Sequence, residues 1–84
     1  MKIYYITFRS VTFAQRGEWL LEENGIRCSV QRTPKWMEEQ GCGYALRVWT
    51  GDIRRAAEIL SRNRVPVKKY YAQGFDGQLE EMSL

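Results

Sequence analysis

Cys28 and Cys42 are the only thiols in a chain of 84 residues that contains no histidine. Cys42 stands between Gly41 and Gly43, directly before the strand-like run Tyr44-Ala45-Leu46-Arg47-Val48-Trp49. Glycine on both sides strips away side-chain cover and permits backbone angles closed to other residues. A thiol placed there is expected to be accessible, whereas most free cysteines are buried and inert. Cys42 is therefore the candidate nucleophile, and Gly41 and Gly43 are candidate donors of backbone N–H groups toward its sulfur or a bound anion. A tight turn entering a strand accounts for the same two glycines. Without histidine, Ser-His-Asp and Cys-His catalysis and Cys/His zinc sites are excluded. Two cysteines are too few for a secreted disulfide framework, and their spacing fits no metal motif. No metal and no cofactor is expected. Any activation of Cys42 has to come from backbone dipoles and nearby cations.

The elements that must hold this residue are legible from periodicity. Residues 2–9 read as a central strand, since Ile3, Tyr4, Tyr5, Ile6, Thr7 and Phe8 are all β-branched or aromatic. Thr12-x-x-Gln15 fits a capping box opening a helix, with Ser10 the alternative cap. Ala14, Gly17, Leu20 and Leu21 give the helix its apolar stripe, and Gly17 marks a close approach to a sheet. Asn24-Gly25 ends it. A second strand over residues 26–33 points Ile26, Cys28 and Val30 to one side, which makes Cys28 a core residue. Pro34 to Gly43 is irregular. The third strand is 44–50, with Arg47 and Trp49 on the face opposite Leu46 and Val48. Asp52 caps a second helix that buries Ile53, Ala56, Ala57 and Leu60, and Asn63 ends it. A fourth strand spans about 67–72. A turn follows, and 78–84 reads as a frayed or weakly helical tail.

The order β-α-β-β-α-β, with right-handed crossovers, predicts an α+β, ferredoxin-like domain. Its sheet is four-stranded and antiparallel, in order 4-1-3-2, with two helices on one face. Residues 1–73 make the single domain and 74–84 the tail. This topology puts the 34–43 connection at the end of the sheet where the first helix begins. Ser10 and Thr12 there offer free N–H groups and the positive end of the helix dipole, which favour a thiolate. Arg9, Arg32, Lys35 and Arg64 belong near the same end and add to the effect, while Glu38 and Glu39 oppose it. The predicted anion or thiolate environment is Gly41, Gly43, Ser10, Thr12 and Arg9 around Cys42.

With these residues in place the chain resembles the selenium/sulfur carrier-like family of small bacterial domains. The matching residues are Tyr5-Ile6-Thr7-Phe8 with Ser10, then Ala14, Glu18, Leu20-Leu21, Gly25-Ile26 and Pro34. Above all they include Cys42-Gly43 followed by Ala45-Leu46-Arg47. The resemblance runs to about Tyr71, and residues 75–84 extend beyond the family's usual end. It implies that Cys42 holds sulfur or selenium as a persulfide or selenosulfide and exchanges it with donor and acceptor proteins. That is the work of a carrier or binding protein more than of a turnover enzyme.

Composition bounds the rest. Hydrophobic residues make up 44% and charged residues 27%, ordinary for a globular chain. No run approaches the roughly 20 apolar residues of a membrane helix, and the N-terminus reads as a strand rather than a leader. A cytoplasmic location is expected. The net charge of +3 divides into +6 over the first 74 residues and −3 over the last ten. The sheet face opposite the helices should carry Trp49 and Arg47 with one tyrosine from each of Tyr4/Tyr5 and Tyr70/Tyr71. Residues 44–50 lack the glycine- and aromatic-rich octamer of RNA-binding sheets, which argues against nucleic acid. A homodimer or a protein partner on that face is the second reading, a non-catalytic interaction or regulatory module.

Overall fold

The computed structural model describes residues 2–33 and 43–84. The elements are β1 (Lys2–Phe8), α1 (Val11–Glu23), β2 (Arg27–Arg32), β3 (Tyr44–Thr50), α2 (Ile53–Arg62), β4 (Lys69–Gln73) and β5 (Leu79–Met82). They build an α+β domain whose two helices cover one face of an antiparallel sheet in the order β2-β3-β1-β4-β5. The expected sheet of four strands is corrected to five. The four foreseen strands keep their expected neighbours, with β1 central, and β5 adds to the outer edge of β4. It comes from the segment read as a frayed or weakly helical tail. The turn that makes it a strand is tight: Gly77 N–H donates to the Gly74 carbonyl at 2.9 Å and Gly74 N–H to the Gln78 carbonyl at 2.8 Å. Gly77 takes φ +86°, open to glycine at no steric cost.

Strand alternation sorts the residues. Tyr4, Ile6, Phe8, Cys28, Leu46 and Val48 point toward the helices and are buried with Ala14, Leu21, Ile53, Ala56 and Leu60. Gly17 is the tight point. A Cβ built on it would lie 3.1 Å from Leu46 Cδ1, 3.2 Å from Phe8 Cζ and 3.3 Å from Leu60 Cδ2, so both helices and the two central strands meet at this residue. Alanine would raise helix propensity by about 1 kcal/mol, but overpacking a filled core costs about 1–3 kcal/mol. Gly17→Ala is therefore expected to lose about 1 kcal/mol net in urea unfolding; a stabilised variant would show that the three side chains yield freely.

Both helices end in the same way. Ile26 N–H donates to the Leu21 carbonyl and Gly25 N–H to that of Glu22; Val65 N–H donates to the Leu60 carbonyl and Arg64 N–H to that of Ser61. Each pair is a Schellman motif, with an apolar residue after the left-handed position packing back on the helix. Gly25 holds that position in α1 (φ +78°), and Arg64 holds it in α2 at φ +57°.

Candidate thiol site

Cys28 can be set aside first. It is 6% exposed, its Sγ–H donates to the Glu18 carbonyl at 3.7 Å, and burial followed by the charges of Glu22 and Glu18 pushes its thiol up to about 12. A cysteine held as thiol inside the core is a poor nucleophile. Its expected place in the core is what the structure shows.

Cys42 and Gly41 lie outside the described residues. Gly43 lies within them and is buried. Thr33 N–H donates to the Gly43 carbonyl at 3.1 Å, which ties the two described flanks of the connection together. Phe8 and Arg32 both pair with Tyr44, so Arg9 and Thr33 are the next residues on the strands either side of Gly43. The start of α1 follows at once. Ser10, not Thr12, is its N-cap: the Ser10 hydroxyl accepts from Phe13 N–H at 3.3 Å with the extended backbone a cap requires. Thr12 falls inside the first turn and is exposed. With the Phe13 amide capped, those of Val11 and Thr12 are left without an intrahelical acceptor. No acidic residue stands in this first turn.

The same end is basic. Arg9 is exposed, the Arg32 guanidinium lies 6.0 Å from the centre of the Tyr44 ring, and the Lys68 N–H donates to the Thr7 carbonyl at 2.8 Å, which brings the chain after Arg64 to this end as well. Gly43, Ser10, Thr12 and Arg9 are thus gathered at one end of the sheet. Thr33 was not foreseen. It is 7% exposed, and its Oγ1 is buried with no hydrogen-bond partner among the described residues. Nothing local in the sequence marks it, because its burial depends on strands that meet only in the fold. Glu18 was likewise unassigned: its carboxylate accepts from the Val30 N–H at 3.3 Å, on the outer side of β2.

Among the described residues no cluster of three or more His, Cys, Asp or Glu could hold a metal, and no helix is long and apolar enough to cross a membrane. The arrangement is a small α+β domain in which Thr33 and Gly43, the described flanks of the connection, lie at the end of the sheet where α1 begins. The family model described as putative Se/S carrier protein-like matches residues 3–72, and the chain belongs to that family. No curated protein and no solved structure matches it.

Proposed function

We propose that the chain carries sulfur or selenium on Cys42. The observation that carries this reading is the withdrawal of Cys28 into the core, which leaves a member of a carrier-like family with one other thiol for the task. In the proposed step the Cys42 thiolate attacks the terminal sulfur of a donor persulfide. A new S–S bond forms to Cys42, the donor's S–S bond breaks, and the donor leaves as thiolate with no net oxidation. A selenosulfide donor passes selenium in the same way. Gly43, one peptide bond from Cys42 in the chain, lies at the end of the sheet that holds the Val11 and Thr12 amides, Arg9 and the Thr33 hydroxyl. Such surroundings favour an anionic sulfur. In the reducing cytoplasm Cys42 would stay a thiol between transfers, and acceptor proteins would take the chalcogen by the reverse exchange.

Incubation with a small-molecule persulfide, followed by intact mass, tests this. The chain is expected to gain the mass of one sulfur atom, released by reductant. Cys28→Ser is expected to retain the adduct and Cys42→Ser to lose it. An adduct of equal yield in Cys42→Ser would overturn the assignment.

A further inference from the structure

The directions of strands and helices send a set of arginines to one end of the molecule. β1 ends at Phe8, where α1 begins, and β3 starts opposite Phe8. α2 follows the far end of β3, so it runs back and finishes at the end where α1 starts. Arg9, before α1, and Arg62 and Arg64, at and after the end of α2, are exposed there. Arg16 joins them, because its guanidinium donates to the Asn63 carbonyl at 3.4 Å. The helix acids stand toward the other end: Glu18, Glu22 and Glu23 in the second half of α1 and Asp52 ahead of α2. Glu58, one turn below Arg62, is ion-paired with it. Two of the four arginines have a use inside the fold. Arg62 lies in the last turn of α2, where a cation offsets the helix dipole, and Arg16 satisfies a terminal carbonyl. Arg9 and Arg64 differ, since neither side chain has a hydrogen bond or ion pair among the described residues. Arg64 also holds the left-handed position of its Schellman motif at φ +57°, where Gly25 serves in the matching motif of α1. A side chain there meets a steric cost that glycine escapes. A costly, exposed residue with no internal partner points to something outside that its charge meets.

We propose that this basic end is the docking surface for an acidic face on the protein that exchanges sulfur or selenium with Cys42. Gly43, the neighbour of Cys42 in the chain, lies at the same end, its carbonyl bonded to Thr33. The choice of a protein rests on the proposed carriage by Cys42, because that exchange needs a cysteine on the partner. The basic end itself does not rest on it. The guanidinium groups are spread over the start of α1, its second turn and the end of α2. No acidic residue in the first turn of α1 opposes them. Charges spread in this way make a broad positive field, suited to a protein surface more than to one small anion. Such a field steers an acidic partner during encounter, fixes which way it lands, and is screened by salt.

Disulfide exchange with two short peptides tests it. Glu-Glu-Cys-Glu-Glu and Lys-Lys-Cys-Lys-Lys, blocked at both ends and activated as disulfides of 2-thiopyridine, each give Cys42 a mixed disulfide and release thiopyridone. In low salt the native chain is expected to react about tenfold or more faster with the acidic peptide, and the preference to shrink in molar salt. The double variant Arg9→Glu/Arg64→Glu is expected to lose about tenfold with the acidic peptide and nothing with the basic one. Arg64→Gly is expected to melt about 4 °C higher and yet to react about twofold more slowly with the acidic peptide. Melting midpoints check that each variant is folded. Equal rates with the two peptides in low salt overturn the proposal, as does a double variant as fast as the native chain with the acidic one. A single-stranded oligonucleotide that protects Cys42 at lower concentration than a thiol-free glutamate peptide assigns the surface to nucleic acid and overturns it too. Loss of the persulfide adduct with the charge preference intact would remove the carriage and leave the docking surface standing.

Discussion

Iodoacetamide at pH 8 is expected to modify Cys42 of the native chain quickly and to leave Cys28 untouched until the fold opens. The burial and the neighbouring carboxylates that hold the Cys28 thiol near 12 leave a thiolate fraction of about 10⁻⁴ at that pH. An ordinary thiol with a value of 9.0 has about 0.1. The ratio is on the order of 10³ before steric protection is added. Peptide mass spectrometry of timed samples reads it, and comparable native labelling of both cysteines would overturn it. The same displacement has a consequence for stability. The folded value lies above the unfolded one, so the contribution is complete below pH 9, falls as pH rises because the unfolded chain has lost a proton the folded chain keeps, and is gone by about pH 12. Tyr70, also raised by burial, acts in the same direction. Between pH 9 and 11 the wild-type chain should lose up to about 1.4 kcal/mol per pH unit more than Cys28→Ala.

Phe8→Ala is expected to cost about 3–5 kcal/mol, the largest loss of any single truncation in this core. Phe8 is 0% exposed, pairs with Tyr44 beside the thiol site, and reaches the point where Gly17, Leu46 and Leu60 converge. Tight packing on all sides leaves little room for collapse into the space, so both the transfer and the cavity cost apply. A domain of this size has a total stability of about 5–10 kcal/mol, so the variant should melt on the order of 20 °C lower. Urea unfolding with an unchanged denaturant slope would confirm a loss in the folded state. A loss below about 1 kcal/mol would mean that the core does not depend on this ring.

The element order was legible because each of the first six elements has a clear period. The alternation of Arg27 to Gln31 and of Tyr44 to Thr50 assigned both sheet faces, and on the outer face it is Tyr5 and Tyr71 that join Arg47 and Trp49. β5 was not legible. Leu79-Glu80-Glu81-Met82 has two acids between two apolar residues and reads as well as a turn of helix; its pairing with β4 and the Gly74–Gly77 turn decide its form. The start of α1 was ambiguous because Ser10 and Thr12 both have a capping side chain, and only the backbone angle chooses between them. Of the thiol site, Gly43, Ser10, Thr12 and Arg9 could be placed by topology, but Thr33 could not. Its buried hydroxyl, without a partner among the described residues, lies just beyond the last paired residue of β2, where burial follows from strand pairing and not from local sequence.

The carboxylate of Glu18 has a part to play outside any chemistry. β2 is an outer strand, and an outer strand with unsatisfied amides is a template on which further chains can polymerise. Glu18 sits on the Val30 amide and occupies one of those template positions from within the molecule. The opposite margin of the sheet is short and bears Glu80 and Glu81, which repel a like strand. The margins of the sheet therefore resist fibre growth, and a Glu18→Leu variant would be the one to watch for amyloid on storage.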